Sequence, residues 1–461
     1  MKKDFSLIFI ILGLSALLFG AFIGLLISFI YIFPDFLKDY IPFNQLRPMH
    51  TTSVVSWIIL TAIGGIYFYM KKVEKLQLSS IKLAKIHLLI FVITGVGIYA
   101  SFVSGIMGGR EYLEYYPLLT IPILLGWILF GINYFKTMIS QVKNWPVYYW
   151  MWGTGIIFMI FHLSEAHFWL FKSIRSDFIK DITIQWKSYG SFVGSWNLLV
   201  YGTAIYLMVK IKGDDSIGRG KTSFFFYFLG LTNLMFGWAH HTYIIPSLPW
   251  IRFVAYGISM TEWIIFVHII YNWKRTLSQE QKKINLVAYK FLIAADVWVF
   301  LNLFLALLMS IPSLNYYTHG THVTVAHSMG TTIGINTSIL LASVAYIITK
   351  IYKSNVLLNN KVIRIGFLIF YISFLVFWIA LVWSGIYKSI WLINHANTSF
   401  GNLHESSYPI FLIFIIAGNI LFVGLLMITL PMIKFLFSYN LKSASMFVAK
   451  CKAFINTLKS K

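Results

Sequence analysis

The sequence contains very little cysteine and few charged residues. A single cysteine, Cys451, excludes a disulfide framework and also excludes thiolate-ligated iron–sulfur or zinc centres, because these need several cysteines. Only 11% of the 461 residues are charged and 58% are hydrophobic, which is not the composition of a water-soluble chain. Any metal in this protein must therefore be held by histidine, methionine or carboxylate side chains.

Long apolar segments make up most of the chain. A membrane-spanning helix needs about 20 mainly apolar residues, and segments of that length recur with only short connections between them, which leaves no room for a sizeable soluble domain. The pattern predicts an all-α, polytopic membrane protein whose core, residues 1–437, has twelve transmembrane helices. The predicted helices cover residues 5–33, 51–70, 86–107, 116–135, 146–168, 190–209, 223–245, 252–271, 288–311, 324–349, 365–387 and 408–433.

Basic residues fall mainly on one side of this predicted topology. Of the 37 Lys and Arg residues, 28 lie in the N-terminal segment, in alternate connections or in the C-terminal tail. Because cytoplasmic segments carry the Lys and Arg excess, both termini are predicted to be cytoplasmic. Residues 438–461 alternate apolar residues with lysines and are predicted to form a basic amphipathic tail on the cytoplasmic surface. Orientation and anionic membrane lipid account for the net charge of +22, which is no evidence for a nucleic-acid partner.

Several histidines fall inside the predicted spans, where an ionisable side chain costs roughly 2.5–3.5 kcal/mol on insertion scales. Because odd-numbered helices run outward and even-numbered ones inward, most of these imidazoles share the outer third of the membrane. Neutral imidazole is the usual protein ligand of haem iron, copper and non-haem iron, so a shared level favours cofactor binding. His87 and His268 lie at other levels and are interpreted as single satisfied or interfacial histidines. The outer set is His50, His162, His167, His240, His241 and His327.

The adjacent pair His240 and His241 is the least ordinary feature of this set. Neighbouring residues of a helix point about 100° apart, so both rings can reach one ion only if it lies between their helix and its neighbours. The next predicted helix carries Glu262, twenty-one residues after His241. Two histidines and one carboxylate suit non-haem ferrous iron better than copper. The sequence therefore predicts a buried metal site.

Four segments together resemble a known family. They read FNQLRPMH at 43–50, GREYLE at 109–114, WAHH at 238–241 and YYTHGTHVTVAH at 316–327. In order and spacing they resemble subunit I of the haem–copper oxidase superfamily, and specifically its nitric oxide reductase branch. The resemblance implies a twelve-helix catalytic core in a bacterial or archaeal cytoplasmic membrane.

The resemblance also implies cofactor ligands. His50 would be an axial ligand of a low-spin haem, and His327 would be the axial ligand of a high-spin haem. His240, His241 and Glu262 would bind a non-haem iron, or copper, that faces the high-spin haem.

Charged residues at the outer ends of the helices acquire roles by the same resemblance. Glu111 would help to hold a calcium ion near the haem propionates, and Glu114 would be linked to proton entry. Arg47, together with His319 or His322, is a candidate for contacts with the propionates, the alternative being that these side chains only reach the membrane surface.

One departure from the family pattern concerns the low-spin haem. The family has a second histidine two residues after the high-spin ligand, and Met329 occupies that position here. A thioether is a legitimate axial ligand that would raise the reduction potential. We expect His50 and Met329 to hold the low-spin haem, against a five-coordinate or missing haem.

A second departure concerns the non-haem metal. Helix six should open with another metal-binding histidine, and Ser191 stands there instead. His162 and Glu165 share a face of the preceding helix at i, i+3. The hypothesis is that one of them supplies the missing ligand or a proton relay, and the alternative is a lipid- or propionate-facing polar cluster.

The expected reaction is the two-electron, two-proton reduction of two nitric oxide molecules to nitrous oxide and water. Dioxygen-reducing members of the family carry a tyrosine beside the metal, whereas residue 234 is leucine. Electrons would come from cytochrome c or a quinol, with a second subunit as partner. The alternatives are a dioxygen-reducing oxidase, a haem-binding sensor or electron-transfer subunit without turnover, and a transporter without a cofactor.

Overall fold

The computed structural model describes residues 4–243, 245–246, 248–259, 262–354, 356–395 and 399–459, and of these the side chains of 141, 259, 262–264 and 442–459 lie outside the description. Within that part of the chain the structure is helical and has no β-strand. The helices of eight or more residues are α1 Phe5–Phe29, α2 Phe43–Phe68, α3 Ile81–Val103, α4 Thr120–Met138, α5 Val147–Glu165, α6 Phe178–Lys212, α7 Lys221–Phe236, α8 Pro249–Ser259, α9 Glu262–Thr276, α10 Leu286–Ser310, α11 His322–Met329, α12 Ser338–Tyr352, α13 Lys361–Asn394 and α14 Phe400–Lys459.

Nine helical stretches of the described chain are long and apolar enough to cross a membrane. They correspond to predicted helices one to four, six and nine to twelve. The remaining three predictions are also helical but differ in form. Residues 146–168 correspond to the 19-residue α5, residues 223–245 to α7 followed by the 3₁₀ segment Gly237–Thr242, and residues 252–271 to parts of α8 and α9. Predicted boundaries elsewhere are mostly too narrow, since helix α6 begins at Phe178 and α14 continues past residue 438 to Lys459.

Three stretches form the interior of the bundle. These stretches are Phe43–Val73, Phe178–Lys212 and His322–Tyr352. Between 78% and 83% of the most apolar 18-residue segment of each is buried, whereas the buried share in the other six candidate spans is at most 44%. The last of these stretches joins α11 to α12 through a π-helix, Gly330–Thr337. The indole N–H of Trp57 on α2 donates to Thr337 Oγ1 at 2.9 Å and fixes α2 against this π-helix.

Glycines bring α1 and α2 into close contact. A Cβ atom on Gly13 would lie 2.2 Å from Thr61 Oγ1, and one on Gly20 would lie 2.8 Å from the Cβ of Ser53. Membrane helices pack through such small residues because the surrounding lipid supplies no hydrophobic driving force for their association.

The two ends of the chain meet at one face of the bundle. The backbone N–H of Asp4 donates to Asn440 Oδ1 at 2.9 Å. Lys71 Nζ and Lys72 Nζ lie 3.7 and 3.6 Å from the Asp4 carboxylate. The start of α1, the segment that directly follows α2 and the later part of α14 are therefore neighbours.

We expect Gly13→Val to destabilise the protein by about 1–3 kcal/mol, because the added carbons have no space between α1 and α2. Gly95→Val is the matched control, since nothing lies within 4 Å of a Cβ at Gly95. Thermal or denaturant unfolding in detergent measures both variants. Equal stability of the two would contradict the close packing of α1 and α2.

Candidate metal and haem site

The rings of His240 and His241 lie side by side. Both residues belong to the 3₁₀ segment Gly237–Thr242 that follows α7, and their ring centroids are 4.2 Å apart with an interplanar angle of 42°. Neighbouring residues of a 3₁₀-helix are normally about 120° apart, so side-chain rotation brings these rings together. His240 Nδ1 is buried and has no well-formed hydrogen bond within the described residues. The backbone of Gly237 lies near this ring, and the other ring nitrogen is suited to a metal ion.

An aromatic face of α6 supports the histidine pair. The indole of Trp186 stacks on the ring of His241, with centroids 4.9 Å apart and planes 11° apart. One turn further along α6, Gly190 leaves room for Trp238, since a Cβ at Gly190 would lie 2.5 Å from the Cβ of Trp238. On this face α6 therefore offers packing surface and no metal ligand.

Ser191 is occupied in helix packing. Its hydroxyl is buried and donates to the backbone carbonyl of Leu234 on α7 at 2.7 Å. The residue at the expected ligand position thus joins α6 to the part of α7 that precedes the histidine pair.

Two further histidines approach the pair. The ring of His319 lies 6.2 Å from that of His241 between centroids and 6.3 Å from that of Trp186. His327, on α11, is an electrostatic neighbour of both His240 and His241. Its Nδ1 is buried and, like that of His240, lacks a well-formed hydrogen bond among the residues described. Four imidazoles therefore surround one region at the junction of α6, α7 and α11.

The described residues contain no group of three His, Cys, Asp or Glu side chains that could hold a metal ion as they stand. The predicted carboxylate ligand, Glu262, begins α9, and its side chain lies outside the described residues. The adjacent imidazoles of His240 and His241 fit two ligand positions of a metal ion. The rest of the ligand set stays a prediction.

His50 is oriented by α1. Its Nδ1 lies 2.7 Å from the backbone carbonyl of Gly20, and a Cβ on Gly24 would lie 2.7 Å from its Cε1. With Nδ1–H as the donor to Gly20, Nε2 is the nitrogen left for an axial bond, which is the usual arrangement of a metal-ligating histidine. The contact needs a residue without a side chain at position 24.

Met329 lies at the same depth as His50. Trp57 and Thr337 are hydrogen-bonded. His50 precedes Trp57 by seven residues, and Met329 precedes Thr337 by eight residues. A Cβ on Gly65, further along α2, would lie 3.3 Å from Ser343 Oγ, further along the second segment, so both segments run in the same direction. His50 and Met329 therefore both lie roughly 10 Å from this bond, on its N-terminal side. Met329 is partly buried between two apolar clusters and directly precedes the π-helix, a distortion often found at functional sites.

Arg47 joins the two outer glutamates. Its Nη1 donates to Glu114 Oε1 at 2.8 Å, and its Nη2 donates to Glu111 Oε1. The other oxygen of Glu114 is buried without a well-formed hydrogen bond in the described part of the chain, and backbone groups of Tyr112 and Glu114 lie near it. Burial raises the pKa of this carboxyl. Arg47 thus pairs with Glu111, the carboxylate expected to help hold a calcium ion. These two bonds use two of the five N–H donors of the guanidinium, so the contact of Arg47 with a propionate stays a prediction.

His162, Glu165 and Lys187 form a second polar cluster. His162 Nδ1 lies 2.9 Å from Glu165 Oε2, so the two residues do share a helix face, and Lys187 Nζ donates to both oxygens of Glu165 at 2.6 Å. The ring contacts of His162 are with Phe158 and Phe161 and not with the histidine pair. This arrangement favours a charge cluster over the missing metal ligand.

Three further histidines contact other side chains. His322 contacts Tyr31 OH at 3.0 Å through Nε2 and Ser384 Oγ at 2.8 Å through Nδ1, which leaves neither ring nitrogen for a propionate. His167 Nε2 lies 2.8 Å from Thr120 Oγ1 at the start of α4. His87 is buried among aromatic rings; its Nδ1 lies 3.4 Å from a tyrosine hydroxyl, and its Nε2 has no partner among the described residues, so it is only partly satisfied.

Sequence reasoning missed Trp186, which stacks on the pair, and Asn315. Asn315, on the short helix Pro312–Thr318, donates through Nδ2 to the backbone carbonyls of His240 at 3.2 Å and Met309 at 2.9 Å. Its burial could not be inferred from hydropathy, because an asparagine in a short helix between two longer ones is ordinarily exposed.

Comparison with known proteins agrees with the arrangement of these residues. The family model for cytochrome c and quinol oxidase polypeptide I matches residues 4–421. The chain is 24% identical to a nitric oxide reductase subunit of Stutzerimonas stutzeri and 22% identical to a cbb3-type cytochrome c oxidase subunit of the same organism, in each case over 92% of both chains.

Solved structures show the same fold. A haem–copper terminal oxidase dimer, studied by electron cryo-microscopy, superposes with a TM-score of 0.70 at 14% identity, covering 96% of this chain and 84% of that one. The family binds haems together with a copper or non-haem iron centre. With a family match over nearly its whole length and apolar helices of membrane-spanning length, the chain is an integral membrane protein that belongs to the subunit I family of cytochrome c and quinol oxidases, a family of respiratory oxidoreductases.

Proposed function

We propose that this protein reduces two nitric oxide molecules to nitrous oxide and water, taking up two electrons and two protons. His327 would hold a high-spin haem, and His240, His241 and Glu262 would hold a non-haem iron opposite it. His50 and Met329 would hold a low-spin haem that receives the electrons. The observation that carries this proposal is the convergence of the buried imidazoles of His240, His241 and His327 in a chain of this family.

When bound, the two irons would hold a pair of nitric oxide molecules close together and stabilise the negative charge that develops on oxygen. The chain itself encloses this space. Trp186 covers one side of His241, and the Ser191 contact with α7 closes α6 against the neighbouring helix. Burial of this kind excludes bulk water and strengthens electrostatic interactions within the site.

Protons would enter from the outer face past Glu111 and Glu114. The raised pKa of Glu114 lets its carboxyl hold a proton closer to neutral pH than an exposed glutamate would. Its other oxygen is a place for that proton, while Arg47 stabilises the ionised form. Glu165, with His162 and Lys187, is a second candidate relay on the same side.

The absence of a suitable tyrosine supports nitric oxide over dioxygen as the substrate. Residue 234 is leucine, and the tyrosine on the outer part of α6, Tyr189, packs against Tyr112 with ring centroids 5.9 Å apart. In the described part of the chain, the aromatic rings in contact with His241 are those of Trp186, His240 and His319. Dioxygen reduction is the second candidate, favoured by the similarly distant cbb3-type relative.

The topology proposed for this function has twelve spans with both termini cytoplasmic. The contact between Asp4 and Asn440 supports it, because chain ends at the same face require an even number of crossings. Residues 438–461 would form the basic tail at the lipid surface. Cytochrome c or a quinol would donate electrons, with a second subunit, in a bacterial or archaeal cytoplasmic membrane.

Gas analysis of the purified protein tests the reaction. With a reduced artificial donor and ¹⁵N-labelled nitric oxide, we expect one molecule of labelled nitrous oxide for every two of nitric oxide consumed. His327→Ala is expected to abolish this turnover. Oxygen uptake without nitrous oxide formation would support the oxidase instead, and haem without either activity would support a sensor or electron-transfer role.

If Met329 is a ligand of the low-spin haem, one substitution at this position should remove the low-spin signal and another should keep it. Met329→Leu removes the thioether, so we expect loss of the low-spin signal in the reduced-minus-oxidised and electron paramagnetic resonance spectra. Met329→His restores a nitrogen ligand, so we expect a low-spin haem with a lower reduction potential. A low-spin spectrum unaltered in Met329→Leu would contradict the ligation by Met329.

A further inference from the structure

The histidine pair needs another ligand, and α6 does not supply it. On α6, Trp186 stacks on His241 and Gly190 lies against Trp238, and neither residue has a metal-binding side-chain atom. Ser191 donates its hydroxyl to Leu234. Two imidazoles leave at least two positions of a four-coordinate metal to be filled. The source must therefore lie on another element.

The loop that precedes α11 brings an imidazole to this place. The short helix Pro312–Thr318 is fixed to the segment that carries the pair, because Asn315 Nδ2 donates to the carbonyl of His240 at 3.2 Å. His319 follows at the end of that helix, where its backbone N–H donates to the carbonyl of Asn315 at 2.8 Å. Asn315 thus links the backbone of His240 directly to the backbone of His319.

The side chain of His319 points toward the pair. Its ring meets both His241 and the Trp186 indole that stacks on His241. It is also an electrostatic neighbour of both histidines of the pair. Three independent contacts, two through rings and one through the backbone, therefore place this residue beside the proposed metal.

We infer that His319 is the third imidazole ligand of the non-haem metal and takes the place of the histidine absent from α6. This inference rests on the proposed function, because it assumes that a metal ion binds at His240 and His241. Glu262 would then be a fourth ligand.

The distances define the movement that binding requires. Nitrogen–metal bonds of about 2 Å set imidazole centroids about 5 Å apart around one ion. The centroids of His240 and His241 are already within this distance at 4.2 Å, whereas the 6.2 Å between His241 and His319 must shorten. A change of about 1 Å can be made by side-chain rotation, because long-range backbone contacts already hold the residue in place.

The test is the affinity for Fe²⁺ of haem-containing protein stripped of its non-haem metal by a chelator. We expect the Kd for Fe²⁺ to rise more than about tenfold in His319→Ala, since even outer-shell changes cost 10- to 100-fold. His319→Asp supplies a carboxylate ligand and should recover part of the affinity, which a packing role would not explain.

His322→Ala is the matched control three residues away. Its ring links Tyr31 to Ser384, so this variant should lose stability but keep its affinity for Fe²⁺. Haem content and thermal unfolding identify variants that fail to fold, and His319→Asp then decides the outcome if His319→Ala is among them.

The outcomes separate this inference from the function on which it rests. Wild-type protein that binds no Fe²⁺ beyond its haem iron would overturn the proposed function. If the wild-type protein and His319→Ala bind Fe²⁺ with equal affinity, only the assignment of His319 is overturned. An equal loss in His319→Ala and His319→Asp, with both variants folded and haem retained, would also overturn it.

Discussion

The cost of burying imidazole nitrogens without well-formed hydrogen bonds is the constraint on which the proposed site depends. His240 and His327 both have a buried Nδ1 without a well-formed hydrogen bond among the described residues, and an unsatisfied buried polar atom costs about 1–3 kcal/mol. Packing does not offset this cost, because an apolar side chain would fill the same space without it. Metal ligation does, since it uses the nitrogen lone pair. The same cost applies to Nε2 of His87 and of His162. The gathering of His240, His241, His319 and His327 in one region, and not an unpaired nitrogen alone, therefore supports the proposed metal site.

Long-range contacts hold the ligands in place on separate elements. Glycine contacts set α1 against α2 and orient His50, and the Trp57 hydrogen bond fixes the helix of His50 against the π-helix that follows Met329. Asn315 fixes the outer loop to the backbone of His240. Because each of these contacts joins residues distant in sequence, the geometry of the site depends on the whole bundle.

The sequence predicted the helical fold, because hydropathy depends only on local composition. The shared layer of histidines depends on the alternation of helix direction and stays a prediction. The sequence did not predict that these histidines divide into separate groups. His162 bonds to Glu165, His50 lies against α1, and only the pair, His319 and His327 gather in one region. Packing partners such as Trp186 decide where a histidine ring lies. The local sequence does not show which residues will be these partners. Position 319 lies in a loop, where hydropathy and helix period give no depth.

The central claim is that the converging histidines serve two haems and one further metal ion in each chain. Quantifying haem by its pyridine complex and total metal by mass spectrometry, on the same purified sample, tests it most directly. The account predicts two haems and one metal ion beyond the haem iron for each polypeptide. A purified, folded protein without haem, or with haem but no additional metal ion, would contradict it.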